Sequence, residues 1–97
     1  MYLVREVLIC KPGRVKELVA KFKDSFNHME GSPFSSVRIM TDAATTYWTV
    51  VVEFEVNSPA DIWEGHKMLG QRQEYADAMK GYMDCVQGGH REIFKIE

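Results

Sequence analysis

The 97-residue sequence holds only two cysteines, Cys10 and Cys85. That is too few for a disulfide framework, and their spacing is not the Cys-x-x-Cys of a redox or zinc pair. Two reduced, buried thiols are expected. Positive charge is not in surplus: 12 Lys and Arg against 14 Asp and Glu leave a net charge of −2. A chain so balanced offers no basic field to a nucleic-acid backbone, so no nucleic-acid partner is expected. No apolar run approaches the roughly 20 residues of a membrane span, so no membrane role is expected. Arg5 and Glu6 interrupt the first apolar stretch, unlike a secretion signal. A cytoplasmic, reducing compartment is the expectation. Histidine is scarce, and no pair among His28, His66 and His90 has metal-ligand spacing, so no metal is expected. Gly88-Gly89 precedes a strand and not a helix, so it is no phosphate loop. A Gly-x-Ser-x-Gly elbow is also missing.

What is present fits one folded domain over residues 1–97, with 45% hydrophobic and 27% charged residues. Residues 2–10 are short and rich in Val, Leu and Ile, and read as a strand. Lys11-Pro12-Gly13 breaks it. Over residues 14–29, Val15, Leu18, Val19, Phe22, Phe26 and Met29 recur at helical spacing, so an amphipathic helix is predicted. Residues 34–42 read as a weaker strand, Asp42-Ala43-Ala44-Thr45 as a turn. Residues 46–56 read as the strongest strand, with Trp48, Val50, Val52, Phe54 and Val56 on one face. Ser58 as N-cap and Pro59 at the first helical position open a second helix. Its stripe runs Ile62, His66, Leu69, Gln73, Ala76, Met79 and Met83, with a kink expected near Gly70. Gln87-Gly88-Gly89 reads as a turn or bulge, and residues 90–97 as the last strand.

The order βαββαβ predicts an α+β, ferredoxin-like fold: a four-stranded antiparallel sheet with two helices on one face. The other face should then be polar in a monomer. Strand 2–10 is instead apolar on both sides, with Leu3, Val7 and Ile9 pointing one way and Tyr2, Val4, Leu8 and Cys10 the other. A bare apolar face of this kind marks an interface. The same face of a second copy, packed through a two-fold axis, is its most economical cover.

Strand one running into Lys11-Pro12-Gly13-Arg14 and an amphipathic helix resembles the opening of NIPSNAP-like proteins. Ser58 through Tyr82, with His66 in the helix, resembles the second helix of the antibiotic biosynthesis monooxygenase-like group. Both belong to the dimeric α+β barrel superfamily, and the resemblance spans the whole chain as a pattern of elements. It implies a homodimer whose two sheets pack into a barrel, with a pocket between helices and sheet in each protomer. Members include cofactor-independent monooxygenases, haem-degrading enzymes and isomerases, so the fold alone does not fix the activity. The haem-degrading branch carries Asn on its first strand; strand 2–10 has none, which separates this chain from haem binding. No cofactor is called for by the remaining monooxygenase-like reading.

His66, between Ile62 and Leu69 on the buried stripe, is the candidate catalytic residue, a general base or a ligand contact. Trp48, Phe54, Trp63 and Tyr82 are candidate walls of a pocket for a small apolar or aromatic metabolite. The alternative for each is core packing. Glu53 and Glu55 share the opposite face of strand 46–56, where Arg38 and Arg5 or Glu6 could pair with them. Three functions remain open: a small monooxygenase-like enzyme, a non-catalytic ligand-binding dimer, and a structural dimer with a filled core.

Overall fold

A computed structural model describes all residues 1–97. The elements are β1 (Tyr2–Cys10), α1 (Val15–Phe26), β2 (Ser35–Thr41), β3 (Thr49–Val56), α2 (Ala60–Gly70), α3 (Gln73–Met79), a 3-10 turn (Tyr82–Cys85) and β4 (Val86–Lys95). The strands form one antiparallel sheet in the order β2-β3-β1-β4. This is the ferredoxin-like α+β fold expected from the element order.

Register assigns the faces. Val4 lies opposite Phe54, and Glu6 opposite Val52. Val4, Val52, Phe54 and Val56 pack with Ile62 of α2 and the half-buried Phe22 and Phe26 of α1. Even-numbered residues of β1 therefore face the helices. Cys10, Leu18, Val50 and Cys85 make a second buried cluster. Both cysteines are buried and free, as expected.

The opposite face carries Leu3, Val7 and Ile9 of β1, Met40 of β2, Val51 of β3 and Phe94 of β4, as the cross-strand pairs require. No helix covers it, and Phe94 is 50% exposed. The molecule is 18 Å thick in its short direction, enough for one sheet and one helix layer. One row of charges crosses this face. Arg38 donates from Nε to Glu53 Oε1 at 2.7 Å, and Arg5 Nε stands 3.5 Å from Glu53 Oε2. Arg5 Nη1 reaches Glu92 at 3.6 Å, and His90 approaches the same carboxylate at 3.0 Å. Glu53 is only 7% exposed, so the two guanidinium groups are what make its burial tolerable. Of the two candidates on β1, Arg5 joins this row and Glu6 does not. Glu6 points to the helix side and pairs with Arg91.

Four expectations are corrected. The second helix is not merely kinked but broken into α2 and α3. Arg72 adopts an extended backbone (ψ 125°), and its guanidinium donates to the His28 carbonyl at 2.9 Å. The break rephases the helix. In α3 Ala78 is buried and Tyr75 and Met79 are half-buried, whereas Gln73 and Ala76 are exposed. Strand β3 starts at Thr49 and not at residue 46, because Trp48 has φ +64°, a left-handed conformation costing roughly 1–2 kcal/mol in a bulky residue. Strand β4 starts at Val86, so Gly88 and Gly89 lie inside it. Gly89 belongs there because a Cβ would stand 2.3 Å from the Val7 carbonyl oxygen. Finally, α1 stops at Phe26, leaving Met29 in the following turn.

α2 starts at Ala60 with Pro59 as its cap residue, one position later than expected. The Ser58 hydroxyl accepts from the Ala60 N–H at 3.4 Å, and its carbonyl accepts from the Asp61 N–H. No helix is long and apolar enough to cross a membrane.

Candidate functional site

A crevice of about 320 Å³ opens between the helix layer and the β1–β4 half of the sheet. Its floor is Glu6 and Leu8 of β1 with Arg91 of β4, and its roof is Phe22, His66, Tyr75, Met79 and Tyr82. One sequence feature shapes its roof. The break after Gly70 turns α3 so that Tyr75 and Met79, not an unbroken stripe, line the roof.

A separate small recess of about 50 Å³ lies beside the crevice and includes Phe34, Val52 and Phe54, with His66 on the wall of both. The His66 ring stands 5.2 Å from the Phe34 centroid and 6.2 Å from that of Phe54, edge-on to the latter. Its placement depends on the residue before it. A Cβ on Gly65 would come within 2.5 Å of the Phe34 ring and 3.0 Å of Pro33. Only glycine lets α2 lie this close.

His66 is not buried as its place on the stripe suggested: the residue is exposed, though one side of its ring packs on Phe34 and Phe54. That packing lowers its pKa below the ordinary histidine value; Arg91 lowers it further, and Glu6 opposes both. At neutral pH the imidazole is therefore uncharged and able to accept a proton. Arg91 is held from two sides. Its Nε donates to Glu6, and its guanidinium lies 5.8 Å over the Trp63 ring. Burial raises the Tyr75 pKa, with Tyr82 adding to the shift and Ser25 opposing it. Its hydroxyl stays protonated, a hydrogen-bond donor beside the histidine. The crevice thus combines apolar walls with one neutral base, one fixed cation and phenolic hydroxyls.

The expected site residues divide accordingly. His66 borders both spaces, Tyr82 lines the crevice and Phe54 lines the recess beside it. Trp63 is 59% exposed; it flanks the crevice from outside, over Arg91. Trp48 is on the helix side as expected, but beside Val15 and Val19 of α1. It precedes Phe54 by six residues, about 20 Å along a strand, and does not wall the same space. Sequence reasoning put Glu6 on the wrong face and missed Tyr75 and Arg91. Parity along β1 places Glu6 with Val4 and Leu8, so that signal was available. Arg91 and Tyr75 were hidden by the glycines of β4 and the rephased helix.

A search of solved structures returns the same architecture. A NIPSNAP domain protein from Burkholderia xenovorans superposes with TM-score 0.81 at 11% identity, covering 100% of this chain and 95% of its own. A NIPSNAP family protein of unknown function from Agrobacterium tumefaciens gives 0.82 at 13%, covering 99% and 87%. An antibiotic biosynthesis monooxygenase-like protein from Chloroflexus aurantiacus gives 0.76 at 15%, covering 99% and 93%. The chain has the NIPSNAP and antibiotic biosynthesis monooxygenase-like fold. No protein-family model and no curated protein matches the sequence. At such identities the likeness extends to the fold, and the chemistry has to be argued from the crevice itself.

Proposed function

We propose that this chain forms a homodimer through its bare sheet face and binds a small aromatic metabolite with an acidic hydroxyl in the crevice of each protomer. The observation that carries the reading is His66: an uncharged imidazole on the wall of an apolar cavity, with a fixed guanidinium on its floor. A phenol entering the crevice packs among Phe22, Tyr75 and Tyr82 and gives its proton to His66. Arg91 offers charge to the phenolate that forms.

The monooxygenase-like neighbours suggest an oxidation as the next step. An electron-rich phenolate reduces dioxygen itself. One oxygen atom becomes bonded to a ring carbon and the other leaves as water, so that phenol and dioxygen give quinone and water. The substrate supplies the electrons, and the chain's residues bind, orient and deprotonate it.

Two measurements test this. Native mass spectrometry, before and after denaturation, should show a dimer; a monomer at micromolar concentration sinks the sheet packing. Oxygen uptake with a panel of naphthols and anthrones should be detectable and should fall at least a hundredfold in His66→Ala, while ligand binding persists. Binding with no oxygen uptake in either form makes the chain a carrier, not an enzyme.

A further inference from the structure

Away from the crevice, a groove of about 670 Å³ runs between α1 and the end of the β2–β3 hairpin. Val15 and Val19 form its helical wall, Trp48 faces them, and Lys16, Lys23 and Asp42 stand on it too. Neither the ferredoxin-like fold nor the proposed chemistry at His66 explains its three features.

The first is the tryptophan. Trp48 is held at φ +64° by hydrogen bonds at its carbonyl and at the next residue. Its carbonyl accepts from the Cys10 N–H at 2.8 Å. The next residue, Thr49, donates its N–H to Asp42 Oδ1 at 3.0 Å. Strain of this kind persists only where the surroundings impose it, and it clusters at ligand sites. Here it turns the indole toward α1 yet leaves it 42% exposed, bounding a groove and not filling a core.

The second feature is charge. Lys16 and Lys23 form no ion pair. They lie seven residues apart on one helix, about 10 Å in rise. The third is that the carboxylate within the groove, Asp42, already accepts the Thr49 N–H. Asp42 keeps its charge, but two ammonium groups against one carboxylate leave the groove net positive, and Val15, Val19, Ala20 and Trp48 give it apolar walls. Its volume lies within the range of small-molecule sites.

We propose that this groove is a second binding site, taking a flat aromatic anion that lies on the Trp48 indole and places its acidic group on Lys16 or Lys23. An elongated ligand, acidic at both ends, reaches both ammonium groups. The site is on the helix side, so dimer formation through the bare sheet face leaves it open.

The probe is 8-anilino-1-naphthalenesulfonate, titrated into the full chain at low salt and followed by fluorescence and by the two indole N–H signals in a nitrogen-15 NMR spectrum. The Trp48 signal should move on binding and the Trp63 signal should not. Trp48→Gly keeps the left-handed backbone without strain, so it should fold; it should weaken the probe at least tenfold. Lys16→Glu with Lys23→Glu should weaken it at least fivefold, and added salt should then no longer weaken binding. His66→Ala should bind within twofold of the unaltered chain, and the uncharged 1-naphthalenemethanol at least tenfold more weakly than the sulfonate. The proposal is overturned by no binding at millimolar probe, by a Trp63 shift in place of the Trp48 shift, or by Trp48→Gly binding within twofold. It is also overturned if His66→Ala loses the probe, which would place it in the crevice.

Discussion

Gly65→Ala sets two effects of known size against each other. In the middle of a helix, Ala is favoured over Gly by about 1 kcal/mol. At this position the new methyl would lie 2.5 and 2.7 Å from two atoms of the Phe34 ring and 3.0 Å from Pro33 Cγ. Ordinary carbon contact is about 3.5–4.0 Å, so α2 and Phe34 must separate by about 1 Å. The Phe34 ring cannot simply retreat, because the Phe54 ring lies 4.4 Å away. Overpacking of this kind costs about 1–3 kcal/mol, and the upper half of that range applies where both neighbours are fixed. The net expectation is a loss of about 1–2 kcal/mol. For a chain of this length that is a fall of roughly 5–15 °C in Tm, at 4–8 °C per kcal/mol. Gly70 is the internal control, since a Cβ there meets nothing within 4 Å. Gly70→Ala should gain up to about 1 kcal/mol. Thermal unfolding by circular dichroism at one protein concentration compares the three forms. The reasoning fails if Gly65→Ala is as stable as the unaltered chain, for then α2 is not seated on Phe34.

Other consequences are as open to measurement. Leu18 is fully buried between the sheet and the 3-10 turn, so Leu18→Ala should lose about 2–5 kcal/mol in urea unfolding; a loss below 1 kcal/mol would contradict its place in the core. An NMR titration should place the His66 pKa below the ordinary value of about 6.5, with Arg91→Gln raising it and Glu6→Gln lowering it further. Because the folded value is the depressed one, this histidine's contribution to stability is intact above about pH 6.5 and is lost as the pH falls through the folded pKa. Val51, opposite Val7 on the bare face, touches no helix, so Val51→Glu should keep the native circular dichroism while native mass spectra shift from dimer to monomer. An unchanged dimer would mean that the copies meet elsewhere.

The sheet was legible because its two central strands carry the plainest signals. The Val-, Leu- and Ile-rich run of β1 and the period-two alternation of β3 mark them as strands, and their pairing fixes which face meets the helices. α1 was legible because one stripe continues without interruption from Val15 to Phe26. The rest turned on residues whose role is decided by tertiary contact. Trp48 keeps the alternating pattern in sequence yet leaves it in conformation, since the Cys10 N–H and the Asp42 carboxylate hold the backbone around it. Gly88-Gly89 reads as a turn, but the chain stays extended there because β1 passes too close for a side chain. Gly65 reads as a weakness in α2 and is its point of closest approach. Arg72 reads as an ordinary helical residue; its bond to the His28 carbonyl accompanies the break that redirects α3.

These departures share one physical theme, and it bears on where function sits in the molecule. A ferredoxin-like layer of helices on a sheet, filled to native density, would leave no space for a ligand. Two interruptions of regular pattern border the spaces described above. The broken helix turns α3 and its side chains onto the crevice, and the left-handed Trp48 sets its indole across the groove from α1. Each interruption is local, and each borders a cavity. The regular elements, by contrast, account for the core clusters and the charged row, which do not need a ligand to be explained. A substitution that relieves such an irregularity is therefore expected to stabilise the fold at the expense of the site beside it, as in other sites where stability and binding oppose each other. Trp48→Gly is the sharpest case: it relieves the strained backbone and removes the indole in one step, so a gain in stability with loss of the probe is the paired result that the reasoning requires.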